Sequence, residues 1–247
     1  MKKYLFEQIP LTIPENKAEM QKIFMELLEK NEKSVISFIN PEIFMQQQHY
    51  PVLNSYFKAC TYNFIDGIGL IKAINHKLST EYTTEDRYPG TDFFTYLPPD
   101  EQVKVYFYGA VSENLENAKN NIEKQFPNVR IVGMTDGYTK INGDTLIQKI
   151  NDSGADILIV CKGCPLQELW IIESKDKLNA KIVFGNGGAI DFWSGSVKRA
   201  PKFMIKLGLE WLFRLISNFS FKRFRRQLKL FVFLKNYKKD KYEIAEL

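Results

Sequence analysis

The sequence predicts an α/β sandwich on a mainly parallel sheet, with a helical appendage at its C-terminal end. Three observations carry that reading. Short β-branched or aromatic runs alternate with helical patterns over residues 1 to 195, the signature of βαβ units. Most of these runs end at Gly, Asn or Asp, where a loop is expected to begin. Past Pro201 the alternation stops and one long apolar and basic stretch takes over.

In chain order, Pro14 to Asn31 places Ala18, Ile23, Leu27 and Leu28 near one helical stripe, and Pro14 suits a first turn. Lys33 to Asn40 and Cys60 to Ile65 follow as strands, on the strength of Val35, Ile36, Phe38 and Ile39 and of Tyr62, Phe64 and Ile65. Val103 to Gly109 and Val129 to Gly133 are the next strands, with a helix over Glu113 to Phe126 between them. Gly143 to Ile150 reads as a helix, and Asp156 to Cys161 and Ala180 to Phe184 as strands. Residues 201 to about 238 read as helices, from Leu207, Trp211 and Leu212 through Phe219, Phe224, Leu228 and Phe231, with no strand expected beyond them. The expected division is a sandwich over 1–200 and an appendage over 201–247, with no Gly/Ser linker between them.

Composition narrows the class. The 247 residues suffice for a core that needs no disulfide or metal staple. With 45% hydrophobic and 26% charged residues, the chain is neither disordered nor of low complexity. Cys60, Cys161 and Cys164 are an odd number of cysteines, against a secreted disulfide framework. No apolar run approaches the roughly 18 to 20 residues of a spanning helix, and Met1-Lys2-Lys3 leads into no signal-peptide core. A cytoplasmic location is expected. The net charge of +5 conceals a division: Lys198 to Lys241 holds 14 Lys or Arg against 2 acids, a balance of +12, which leaves −7 for the rest. The two parts face different partners.

In sheets of this kind, ligands settle outside the carboxyl ends of the strands, and four clusters stand there. Asp66-Gly67-Ile68-Gly69 puts an acid and two glycines between strand and helix, open either to a diphosphate at the helix N-terminus or to simple capping by Asp66, worth about 1 kcal/mol. Asp86-Arg87-Tyr88-Pro89-Gly90-Thr91-Asp92 offers a guanidinium suited to phosphate, or an ordinary surface Arg. Lys162-Gly163-Cys164-Pro165-Leu166-Gln167-Glu168 sets Pro165 at a first helical position and Gln167 and Glu168 in the first turn. Gly185-Asn186-Gly187-Gly188-Ala189-Ile190-Asp191 is again strand, loop and helix, but does not satisfy G-x-G-x-x-G. Cys161 and Cys164 have no histidine at zinc-site spacing. No Asp-x-Asp, G-x-S-x-G or G-x-x-x-x-G-K-[ST] occurs. A diphosphate would thus be met by backbone and cations. The tail Phe221 to Phe231 interleaves cations with aromatics, which suits an anionic membrane interface, nucleic acid, or packing on its own domain or another subunit.

Taken in order, these clusters resemble the WecG/TagA/CpsF family of bacterial glycosyltransferases over roughly residues 5 to 226. Asn40-Pro41-Glu42, Asp66 to Gly69, Arg87 with Gly90 and Asp92, Gly109, Asp136-Gly137-Tyr138, Pro165 with Gln167-Glu168, Gly187-Gly188 with Asp191, Arg199-Ala200-Pro201 and Leu209-Glu210-Trp211 carry the likeness. The resemblance implies a Rossmann-like, GT-E-like sandwich and an inverting, metal-independent transferase without cofactor. Its implied partners are a UDP-sugar donor, of N-acetylmannosamine type or another hexose, a polyprenyl-diphosphate-linked acceptor and the inner, anionic membrane surface. A second copy of the chain is a further expected partner, and nucleic acid is not.

The resemblance also implies roles. Asp66 is the expected catalytic base and Arg87 a catalytic cation, with Arg214 beside the diphosphate. Asn40, Gly67, Gly109, Asp136, Tyr138, Gln167, Glu168, Gly188 and Asp191 are expected in the donor pocket. Lys222, Arg223, Arg225 and Arg226 are expected at the membrane or the acceptor diphosphate. Three departures accompany the match: Phe38 where family members often carry Thr, Cys161, Lys162 and Cys164 before the Pro-x-Gln-Glu motif, and Asn218-Phe219-Ser220-Phe221 in place of Glu-Pro-x-Arg. Lys162 is accordingly an expected phosphate-facing cation. The competing class is a non-catalytic nucleotide-sugar-binding scaffold. Removal of residues after about 218 is expected to weaken vesicle binding more than it disturbs the sandwich.

Overall fold

A computed structural model describes residues 1–30, 32–217 and 230–247. Its strands are β1 (Lys2–Phe6), β2 (Ile9–Ile13), β3 (Ser34–Ile39), β4 (Tyr62–Ile65), β5 (Val103–Gly109), β6 (Val129–Thr135), β7 (Ile157–Cys161), β8 (Ile182–Gly185) and β9 (Ile244–Glu246). They form one sheet in the order β6-β5-β7-β8-β3-β4-β2-β1-β9. All neighbours from β6 to β2 run parallel, and β1 pairs antiparallel with both β2 and β9. The predicted α/β sandwich is therefore the fold. Every residue of β3 and β7 is buried, as befits central parallel strands covered on both faces.

The helices are α1 (Lys17–Glu29), α2 (Pro41–Gln46), α3 (Pro51–Ala59), α4 (Ile68–Leu78), α5 (Ser112–Gln125), α6 (Gly143–Asp152), α7 (Leu166–Ser174), α8 (Ile190–Trp193), α9 (Lys202–Lys206) and α10 (Glu210–Ser217). A further helical segment covers 230–237. Strand alternation sorts the core into two layers. Val105, Phe107, Ile157 and Ile159 meet α1, α5 and α8 on one face, while Tyr106, Tyr108, Leu158 and Val160 meet α3, α4, α6 and α7 on the other.

Four expectations change. The hairpin β1–β2 was not foreseen, because its turn uses Glu7 and Gln8 at positive φ rather than Gly or Asn. The first helix begins at Lys17 with Asn16 as cap, its side chain accepting from the Glu19 N–H at 2.9 Å, so Pro14 lies outside it. Pro165 is the N-cap of α7 rather than its first helical residue. A strand does follow Pro201: β9 pairs with β1, and the Glu7 N–H donates to the Glu243 carbonyl at 2.9 Å.

The segment past 229 is also part of the core. Phe233 is fully buried and stacks with Phe6 and Tyr242 at ring separations of 6.1 and 5.1 Å. Truncation after about 218, expected to weaken vesicle binding more than it disturbs the sandwich, would therefore also remove core residues. Lys222, Arg223, Arg225 and Arg226 lie outside the described residues, and Arg214 is carried by α10.

Candidate active site

The carboxyl ends of the parallel strands form one edge, and the predicted site residues collect along it. Asn40 ends β3 and caps α2, its side chain accepting from the Ile43 N–H at 3.0 Å. Asp66 ends β4. Its N–H donates to the Ile39 carbonyl at 2.8 Å, extending the ladder by one residue, and its carbonyl accepts from Arg87 Nη1 at 3.4 Å. Gly67, not Asp66, is the N-cap position of α4. A Cβ on Gly67 would overlap the Pro41 ring and approach Asn40 Cβ to 2.9 Å. The missing side chain thus lets α2 and α4 start against each other, and Asn40 and Asp66 share one opening as a result.

That opening is a cleft of about 120 Å³ lined by Asn40, Pro41, Glu42, Asp66, Gly67, Ile68, Gly69 and Arg87 and, from the C-terminal segment, Gly208, Glu210, Trp211 and Leu230. Asp66 is half-buried at its wall. Arg87 is almost wholly buried and pairs with the equally buried Glu210, both Nη atoms reaching Oε2 at 3.3 Å. Glu210 and Trp211 were quoted in the sequence only as part of a motif. A signal for Glu210 was present, since it is one of the two acids in the basic stretch from Lys198 to Lys241.

The remaining predicted residues stand further along the same edge. Gly109 ends β5 at φ +118, and a Cβ there would stand 2.5 Å from the Cys161 carbonyl, so a side chain would collide. Asp136 follows β6 and organises its own loop, accepting from the N–H groups of Tyr138 and Thr139 at 2.9 and 2.8 Å and from the hydroxyls of Thr139 and Ser112. The Thr139 hydroxyl first, then these N–H groups, hold its carboxyl below the usual range against a small effect of burial. It lines a separate pocket of about 180 Å³ with Ser112 and Thr139, while Tyr138 is 79% exposed beside it.

Gln167 is buried under the loops. Its Oε1 accepts from the N–H groups of Gly163 and Gly187 at 3.1 and 3.0 Å, which ties the β7 and β8 loops together. Its Nε2 donates to Glu168 Oε1 at 2.8 Å. Glu168 is buried too, and its Oε2 finds no hydrogen-bond partner among the described residues. Burial raises its pKa, opposed by the bond from Gln167. Gly188 has open space where a Cβ would stand, and Asp191 accepts from Asn114 Nδ2 at 3.2 Å. The two halves of the edge are joined where Asn186 Nδ2 donates to the Gly90 carbonyl at 2.8 Å.

Lys162 is engaged within the protein. Its Nζ donates to the Tyr108 hydroxyl at 2.8 Å and lies 4.8 Å from that ring's centre, a placement that does not present it as a phosphate-facing cation. Cys161 is buried and its thiol pKa is pushed up by desolvation, which suits an inert core thiol. Among the described residues no three His, Cys, Asp or Glu side chains are grouped to hold a metal ion. A larger cleft of about 630 Å³ between Thr91, Asn121, Lys124 and Trp193 contains none of the predicted site residues, whereas another of about 580 Å³ is lined by Arg87 with Asp86, Asp92 and Arg199. Phe203, Leu207 and Ile216 of the C-terminal segment are exposed, as are Lys198, Lys202 and Lys206, and no described helix is long and apolar enough to cross a membrane.

A family model described as "Glycosyl transferase WecG/TagA/CpsF family" matches residues 9–244. An N-acetylglucosaminyldiphosphoundecaprenol N-acetyl-beta-D-mannosaminyltransferase of Bacillus spizizenii is 32% identical over 209 residues, covering 82% of this chain and 78% of the relative. A protein of the same description from Bacillus subtilis is 34% identical over 198 residues, covering 75% of this chain and 72% of its own.

Proposed function

Because the chain belongs to the WecG/TagA/CpsF family of glycosyl transferases, we propose that it transfers N-acetylmannosamine from a UDP donor to a polyprenyl-diphosphate-linked N-acetylglucosamine. The names of the two Bacillus relatives support this acceptor and this sugar. The observation that carries the reading is Asp66, a half-buried carboxylate on the wall of an open cleft at the N-terminus of α4, with a guanidinium at its back.

Asp66 takes the proton of the acceptor hydroxyl as that oxygen attacks the anomeric carbon from the face opposite UDP. The new C–O bond forms while the bond to the diphosphate oxygen breaks, and UDP departs with the electron pair and an inverted product. Arg87, Arg214 and helix N-termini along the edge meet the charge that develops on the diphosphate, with no metal or cofactor in the step. The loops of Gly109, Asp136, Tyr138, Gln167, Glu168, Gly188 and Asp191 form the donor side, where Gln167 and Glu168 act from beneath by shaping the loops. Lys222, Arg223, Arg225 and Arg226 draw the protein to anionic lipid at the inner membrane face, helped by the exposed apolar residues around Phe203.

The test is a panel of UDP-sugars with a polyprenyl-diphosphate-N-acetylglucosamine acceptor in anionic vesicles. UDP release and an elongated lipid are expected with UDP-N-acetylmannosamine. Release with a different sugar alone would overturn the donor assignment, and UDP binding without release from any donor would make the chain a scaffold.

A further inference from the structure

The stretch from Lys198 to Lys241 contains Glu210 and Asp240 as its acids. Asp240 is exposed and meets Lys77 at 3.4 Å on the surface. Glu210 is different, since its side chain is 9% exposed and the Arg87 side chain facing it 8%. A charge withdrawn from water is tolerated when it is paired and hydrogen-bonded, as the Arg87 and Glu210 side chains are here. Both Nη atoms of Arg87 use a single oxygen of Glu210, and Nη1 also reaches the Asp66 carbonyl. These contacts occupy at most three of the five N–H donors of a guanidinium and leave capacity for an anion. The helix that carries Glu210 is seated by Gly208, at φ +70, where a Cβ would stand 3.2 Å from Cγ2 of Ile68, the first residue of α4.

We propose that Glu210 is a positioning residue, holding the Arg87 guanidinium beside the Asp66 strand end so that it meets the leaving diphosphate. The proposal deepens the transferase reading above and rests on it. It makes α10 a working part of the active site: the Arg87 side chain is set laterally by Glu210, and without it the guanidinium keeps the long contact to the Asp66 carbonyl but loses its anchor.

The test uses the full chain with Glu210→Gln, Glu210→Asp, Glu210→Ala, Arg87→Ala and the Arg87→Ala/Glu210→Ala pair. Modification of Arg87 by phenylglyoxal, mapped by peptide mass spectrometry, should quicken about tenfold in Glu210→Ala and less in Glu210→Asp, as a charge-assisted anchor is lost or shortened. With the UDP-sugar that the wild type consumes, kcat should fall about 10²-fold in Glu210→Ala at little-changed acceptor KM, with part recovered in Glu210→Asp. In the Arg87→Ala background, Glu210→Ala should cost nothing further. Wild-type labelling of Arg87 in the variants overturns the proposal, and so does an additive loss in the pair, which marks a merely structural role. Should Glu210→Ala fail to fold, Glu210→Gln, which keeps the shape and removes the charge, is expected to label faster as well. Should the wild type transfer no sugar, the transferase reading fails, and Arg87 labelling still decides whether Glu210 positions it.

Discussion

Asp66 directly follows β4 and Glu168 stands in the first turn of α7, and the surroundings of these two acids differ. Asp66 stands on an open cleft beside Arg87, whereas Glu168 is sealed beneath the loops with one oxygen bonded to Gln167. Asp66→Asn is expected to lower turnover by about 10² to 10⁴, the usual worth of a general base, with a melting temperature near that of the wild type. Turnover at the wild-type rate would remove Asp66 from the mechanism. For Glu168, burial raises the folded-state pKa above that of the unfolded chain. The resulting stability is present below the ordinary carboxylate range and is lost as pH rises through the elevated folded value. Glu168→Gln should flatten that fall in urea melts across pH, gaining on the wild type as pH rises; equal slopes would show that Glu168 does not titrate differently on folding. The sequence marks both acids by position, but burial is decided by which loops close over them.

Among the elements, the strands from β3 to β8 were legible because buried parallel strands read as continuous apolar runs ending at loop residues. Their boundaries shifted by up to two residues. The strands β2, β1 and β9 at one end of the sheet were not, since the β1–β2 turn carries Glu7 and Gln8, which have no turn signature, and β9 spans only three residues. At the site, the glycines after Asp66 were visible, but their use was not. Gly67 makes room for Pro41 and Asn40, a contact between helices that are separate in sequence. Gly67→Ala should therefore force α2 and α4 apart and cost about 1 to 3 kcal/mol as overpacking, measured by denaturant unfolding. Loss of activity should accompany it as Asn40 and Asp66 separate. A variant as stable and active as the wild type would mean that the two helices can relax at no cost.

On the scale of the whole molecule, the C-terminal segment belongs to the core and, in the function proposed above, also carries the membrane contact. Phe233 belongs to the core with Phe6, Phe44 and Tyr242, and Phe233→Ala is expected to cost about 3 to 5 kcal/mol, read as a lowered denaturation midpoint. Truncation after 217 is thus a poor test of membrane binding, because it also removes β9 and this core. Replacing Lys222, Arg223, Arg225 and Arg226 by Gln addresses the charge alone. It should weaken flotation with anionic liposomes, each cation being worth about 1 kcal/mol near such a surface, while the melting temperature stays close to that of the wild type. Undiminished flotation would remove these four cations from the proposed membrane contact. What the sequence alone determined was the alternation of strand and helix, the edge at which a site is expected and the split of charge along the chain, since these follow from local periodicity and composition. Tertiary structure alone decided that Arg87 meets Glu210, that Gln167 and Glu168 lie beneath the loops, and that the last residues complete the sheet. Such pairings join residues far apart in the chain, as Tyr4 to Phe6 pair with Glu246 to Ile244, and only packing brings such distant groups within reach.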